Sequence, residues 1–293
     1  MTPPLSSQLA TWDPPPHEVA ELVTAGPAMA LAGLFDCPSP VAAAGDALPP
    51  LWHWVYFLDR PAQRDLGPDG HPAAGAFMPP ILGRRRMFAG GRFTCDAPIR
   101  AGDEITRRAE LAGWTVKHGR TGELLFVTVR YTFSRAATVI AAEEQDLVYR
   151  SGPPAAATAP GPPDPAPASP SPGPGQAGPW ELDFAADPVL LFRFSALTYN
   201  AHRIHYDAEY STAVEGLPGL VVHGPLLALL CLELPRRHAA GRRISRLSFR
   251  ARRPLLAGQP LTVRAHASDD LCQMSAAPAG GATVMTATGH FAP

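Results

Sequence analysis

The chain has 293 residues, 46% of them hydrophobic, with 25 basic side chains against 26 acidic ones. That length holds two domains of ordinary size, and so even a charge balance gives nucleic acid or a membrane surface no footing as the main partner, leaving a small-molecule ligand. The four cysteines, Cys37, Cys95, Cys231 and Cys272, form no CxxC pair and fit reduced structural thiols of a cytoplasmic protein. The N-terminal segment carries no secretory or transit pattern, and no apolar run reaches the roughly 18 charge-free residues of a membrane span.

In chain order, residues 84–106, RRRMFAGGRFTCDAPIRAGDEIT, read as a strand, a Pro-x-x-Ala-Gly turn and a second strand. Residues 124–133 follow as LLFVTVRYTF, where Val127, Val129, Tyr131 and Phe133 alternate with Thr128, Arg130 and Thr132, the period-2 pattern of a strand with one buried face. Residues 151–179 hold 11 of the chain's 35 prolines. Proline lacks an N–H and fixes φ, so this tract is expected to be a disordered linker between residues 1–150 and 180–293.

The two halves are related. At an offset of 156, Arg86, Phe93, Pro98, Ala101, Gly102 and Thr106 meet Arg242, Phe249, Pro254, Ala257, Gly258 and Thr262, and Ile105 meets Leu261. The closing segment TVMTATGHF reads as a strand comparable to LLFVTVRYTF at an offset of 158. The strong helix candidate runs from Pro225 to about His238, apolar on nearly every side and so buried, with Pro225 in its first turn and Arg236, Arg237 and His238 at the end that favours cations.

The densest polar chemistry lies ahead of that helix. Residues 197–207, LTYNAHRIHYD, place Asn200, His202, His205 and Asp207 within eight residues, and His223-Gly224-Pro225 follows at the helix start. Imidazole titrates near neutrality and free N–H groups at a helix start can hold an oxyanion, a pairing suited to chemistry on a carbonyl compound. From the residues alone several readings stand. His202 and His205 could be metal ligands with His223 or Asp207 as a third; Asp207 is a cap or a partner that orients His205; His223 fills space behind Gly224 or joins the chemistry. Arg203 could meet a substrate carboxylate, and Arg250, Arg252 and Arg253 are either a solvated strand face or partners for phosphates. The same two readings stay open for Arg84, Arg85 and Arg86.

The runs LTYNAHRIHYD, GLPGLVVHGP and FRARRPLLAGQPLTV resemble the hydratase 2 branch of the MaoC-like acyl-thioester hydratases and dehydratases, most of all its mesaconyl-C4-CoA (3-methylfumaryl-CoA) hydratases and mitochondrial-type 3-hydroxyacyl-thioester dehydratases. LPPLWHWVYFL, DGHP, RRRMFAGG and EEQDLVYR are similar to the non-catalytic first repeat of those proteins. The resemblance implies an α+β double hot dog, each repeat a curved antiparallel sheet wrapped on a central helix, forming a monomeric pseudo-dimer or a homodimer of such units. It implies reversible hydration of a 2-enoyl-CoA in the second repeat, with coenzyme A as substrate carrier and no metal or other cofactor. The family motif Asp-x-Asn-Pro-x-His falls on residues 200–205, which assigns acid/base work to His205 and the oxyanion amide to Gly224. The motif departs at three positions, where Asn200, His202 and Arg203 replace Asp, Asn and Pro. A carboxamide cannot take a proton, so Asn200 is expected to position water. An acyl carrier protein in place of coenzyme A, a hot-dog thioesterase and a non-catalytic acyl-CoA-binding module are the alternatives.

Overall fold

Ten antiparallel strands form one continuous sheet in a computed structural model that describes residues 4–38, 40–75, 77–119, 122–151 and 179–293. They are β1 (His17–Leu22), β2 (Arg85–Cys95), β3 (Glu104–Gly119), β4 (Gly122–Arg135), β5 (Thr138–Arg150), β6 (Trp180–Ala185), β7 (Ile244–Ala251), β8 (Pro260–Ala267), β9 (Leu271–Pro278) and β10 (Met285–Phe291). Their order across the sheet is β1-β3-β4-β5-β2-β7-β10-β9-β8-β6. The second five repeat the first five in mirror order about the β2–β7 seam. Arg92 pairs there with Ser248, its own counterpart at the offset of 156, so a pseudo-two-fold axis passes through that pair. The turns Gly102 and Gly258 both hold positive φ, as the shared Ala-Gly requires.

One strand correspondence differs from the sequence expectation. β10 pairs with β7 and β9 as β5 pairs with β2 and β4, so the counterpart of the closing strand is β5 and not LLFVTVRYTF. Alternation is similar along any half-buried strand, and only pairing partners distinguish them. The expected linker, residues 151–179, lies almost wholly outside the described residues.

Among the described residues four α-helices accompany the sheet: α1 (Leu5–Gln8), α2 (Ala25–Leu34), α3 (Pro188–Leu197) and α4 (Gly224–His238). α4 packs on β8, β9 and β10, and every residue from Leu226 to Pro235 is buried. Each leucine so buried contributes about 1.5–3 kcal/mol of transfer free energy. Glu233, buried with them, accepts from Arg236 and Arg237 and is thereby neutralised. Among the described residues the first half has no helix of this length. The interval between α2 and β2 holds only short 3-10 turns, the larger at Trp52–Val55, and the inner faces of both halves merge into one core that includes Trp52, Phe93, Ile105 and Phe133 with the α4 leucines. No helix of the described residues is long and apolar enough to cross a membrane.

Candidate active site

α3 sets up the polar run. Asp187 caps it, accepting the Leu190 N–H at 2.7 Å, and Pro188 occupies its first turn. It ends in a Schellman motif, in which Asn200 N–H donates to Ser195 O at 2.8 Å and Tyr199 N–H to Ala196 O at 3.3 Å. Tyr199 takes the left-handed position (φ 51°) where glycine is usual. This turn aims Asn200 away from the helix, and its Oδ1 accepts the His202 N–H at 3.0 Å. One lone pair of that oxygen and the NH₂ group remain for water.

His205 is buried in the short 3-10 turn Arg203–His205. Its Nδ1 lies 2.7 Å from the carbonyl oxygen of Val221. A carbonyl only accepts, so Nδ1 carries the proton and Nε2 keeps its lone pair. Val221 is itself tied back by its N–H to Ile204 O at 2.9 Å, and Val222 N–H donates to Leu255 O at 2.8 Å, which fixes the approach to α4. The His223 ring stacks on His205 with centroids 3.6 Å apart, and its Nε2 lies 2.9 Å from Ser195 Oγ. His223 therefore locks the plane of His205 as well as filling space.

Burial dominates the electrostatics. It pushes His205 down to about 4, against the pull of the Val221 hydrogen bond, and His202 down to about 2, with further lowering from the neighbouring imidazoles. His223 falls well below its ordinary value for the same reason. All three are neutral at pH 7, which suits a base and leaves no trapped cation.

Gly224 opens α4, where its N–H has no partner within the helix and Pro225 contributes none. A Cβ here would stand 2.7 Å from Cδ1 of Phe88, a β2 residue of the first half. Glycine is thus required for the aromatic wall to close over the helix start. Phe88 is held in turn by stacking on Phe249 and an edge contact from Trp54.

The first half also supplies Asp69 and His71, which the sequence reading passed over within DGHP. His71 Nδ1 donates to Asp69 Oδ2 at 3.0 Å, and its ring lies 4.1 Å from that of His202. Burial would raise the Asp69 carboxyl, but the His71 hydrogen bond and charge hold it below its ordinary value; burial lowers His71 itself. The two loops cross closely. Arg203 N–H donates to Asp69 O at 2.9 Å, and a Cβ on Gly70 (φ +87°) would fall 1.8 Å from the carbonyl oxygen of Ala201.

Several expected roles change. Arg203 is taken up by Asp207 Oδ2 (2.7 Å), by Pro68 O (3.1 Å) and by the Tyr210 ring beneath it, so it does not present itself to a substrate carboxylate. Asp207 accepts from Tyr210 N–H (2.9 Å) and from Arg203, which hold its carboxyl low; it caps that turn, while Val221, not Asp207, orients His205. The alternative of a metal held by His202, His205 and His223 or Asp207 finds no such grouping of ligand atoms among the described residues. Ligand atoms of Asp69, His71 and His202 do lie within 4.8 Å of one another, but both Asp69 oxygens already accept from His71. Arg250 is exposed on β7, and strand alternation turns it away from the face of Phe249; Arg252 is exposed and Arg253 half-buried just beyond the strand.

Asp187-Pro188 ahead of an apolar stretch was the signal for α3 that the sequence did carry. Nothing comparable marked Asp69 and His71, which sit in an irregular loop.

The family model of hydroxyacyl-thioester dehydratase type 2 matches residues 51–257. The mesaconyl-C(4)-CoA hydratase of Chloroflexus aurantiacus is 43% identical over 284 residues, covering 97% of this chain and 98% of that protein. The mitochondrial hydroxyacyl-thioester dehydratase type 2 of Schizosaccharomyces pombe is 40% identical over 82 residues, 27% of each chain. Among solved structures, a MaoC-like dehydratase from Phytophthora capsici superposes with a TM-score of 0.68 at 13% identity, covering 96% of both chains. A Mycobacterium tuberculosis protein described as a double hot dog gives 0.62 at 14% identity, covering 99% of this chain and 98% of its own. With the mirrored sheet and the long helix α4, these likenesses establish an α+β double hot dog, and the chain belongs to the hydroxyacyl-thioester dehydratase type 2 family.

Proposed function

We propose that this chain catalyses the reversible hydration of a 2-enoyl-CoA thioester, with 3-methylfumaryl-CoA giving citramalyl-CoA as the reaction to test first. The observation that carries the reading is His205: a buried, neutral imidazole with Nδ1 spent on Val221 and Nε2 free, beside the open amide of Gly224. The thioester oxygen accepts from the Gly224 N–H. Asn200 holds water through its NH₂ group, His205 Nε2 takes one proton as the oxygen bonds to Cβ, and the electron pair of the double bond moves to the carbonyl oxygen as an enolate. The imidazolium then returns its proton to Cα, and the reverse sequence dehydrates the 3-hydroxyacyl thioester. No step calls for a metal or redox cofactor.

In this reading residues 180–293 carry the chemistry and residues 1–150 wall the site through Phe88, Asp69 and His71. Arg252 and Arg253 are the candidates for the coenzyme A phosphates. The four free thiols fit work in the cytoplasm. The 43% identical relative, named as a mesaconyl-C(4)-CoA hydratase, supports the choice of substrate. Purified protein mixed with 3-methylfumaryl-CoA or crotonyl-CoA is expected to bleach the enoyl-thioester absorbance of at least one of them. Unchanged absorbance for both refutes the hydratase reading, and release of free thiol in its place would indicate a thioesterase.

A further inference from the structure

Arg86 is left over by the mechanism above. It lies half-buried near the start of β2, opposite the buried Tyr149, and alternation puts it on the same strand face as Phe88, the residue that covers Gly224. Two residues along a strand span about 7 Å, so the Arg86 stem begins one such step from Phe88, whose ring lies against Gly224. Its charge is near enough to His71 and His202 to oppose protonation of both.

The arginines around it are engaged. Arg84 donates to the carbonyl oxygens of Pro72, Ala73 and Pro79, Arg85 to Glu215, and Arg203 to Asp207. Arg86 makes no hydrogen bond or ion pair among the described residues, and none of its nitrogens is an orphan sealed from solvent. A partly desolvated guanidinium with no acceptor, on the strand face of Phe88 and close enough to act on His71 and His202, is suited to receive an anion that arrives with the substrate.

We infer that Arg86 binds a carboxylate borne by the acyl group at or beside Cβ and so selects dicarboxylic 2-enoyl thioesters. This rests on the hydratase reading and names the residue that sets its substrate class. The chemistry gives the contact a second use. A bare carboxylate on Cβ repels the electron-rich oxygen of the incoming water, and pairing it with a guanidinium removes that repulsion where the new bond forms. Arg203, the candidate from sequence, has no such freedom.

Binding of two saturated thioesters that cannot be hydrated, methylsuccinyl-CoA with a carboxylate and butyryl-CoA without, separates this role from a grip on coenzyme A. By calorimetry the full chain is expected to prefer methylsuccinyl-CoA by about tenfold or more, the size of one charge-assisted hydrogen bond. Arg86→Gln is expected to erase the preference while leaving butyryl-CoA affinity as it was, and Arg86→Lys to keep part of it. Equal weakening of both ligands, an unchanged preference in Arg86→Gln, or no preference in the unmodified chain overturns the inference. Should Arg86→Gln not fold, the methyl ester of methylsuccinyl-CoA makes the same test on the unmodified chain: it must bind like butyryl-CoA, and binding as tight as the free acid overturns the inference. Hydration of 3-methylfumaryl-CoA is followed in the same preparation. Its absence counts against the hydratase reading, whereas its presence with an Arg86→Gln variant of unchanged preference counts against Arg86 alone.

Discussion

The two halves share a strand order and an axis through Arg92 and Ser248, yet they have diverged where a hot dog keeps its helix. The second half wraps its strands on α4 and opens that helix at the site. At the equivalent place in its element order the first half has short 3-10 turns and, among the described residues, no long helix whose start could hold an oxyanion. Its loops and β2 instead reach across the seam, so Phe88, Asp69 and His71 face His202 and Gly224. A duplicated fold need not divide into a working copy and an idle one. In the proposed reading the first copy serves as the wall of its neighbour's site.

The sharpest way to break this division of labour is His205→Ala, expected to lower kcat by about 10²–10⁴ with the fold intact by circular dichroism. Full activity in that variant would remove the assigned base. Gly224→Ala tests the contact between the halves at the same place. Its methyl group would press on the Phe88 ring, and displacing one oxyanion donor costs about 10²–10³ in kcat. A second substitution, Phe88→Leu, should recover part of that loss if the clash is its cause. Gly70→Ala strikes the backbone crossing from the other side. With a positive φ and the Ala201 carbonyl in the way, it should cost at least about 1–2 kcal/mol of stability, read from the denaturant midpoint.

Acid provides a gentler test. His71, His202, His205 and His223 are held neutral by burial, so as pH falls the unfolded chain takes up protons first, from about 6.5 downward. Stability is therefore complete above that value and declines as pH falls toward about 4 for His205 and about 2 for His202. The urea midpoint should be lower at pH 5 than at pH 7.5. The kcat/KM of the folded enzyme should instead stay level through pH 6.5, and an acid limb there would contradict a base titrating near 4. The smallest effect is expected from Asn200→Asp, which restores the family's carboxylate, can still accept the His202 N–H and should keep at least partial activity.

Much of this was legible in the sequence. The leucines of α4 announced a buried helix because no solvent-facing stripe interrupts them, and seven matched positions at one offset located the pseudo-axis. The placement of His205 just ahead of the buried helix and of Gly224 at its start was readable because both are local in the chain. The engagement of Arg203 was not, since it is held by Asp207 at a helical spacing and by Pro68 far away in the chain. Nor was the role of DGHP, whose meaning depends on a crossing of loops that periodicity cannot encode. The missing helix of the first half was hidden by the similarity of its strands to those of the second.

The Arg203 amide lies in one half of the molecule and the Asp69 carbonyl that accepts its hydrogen bond lies in the other. Its hydrogen can exchange with solvent deuterium only when that crossing opens, which makes it a gauge of how firmly the halves are docked, independent of whether each half stays folded. In the proposed reading the thioester would sit between Gly224 and the first-half residues Phe88 and His71, and so tie the same two halves together. Slower deuterium uptake at this one amide would therefore register substrate arriving at the seam before any chemistry takes place.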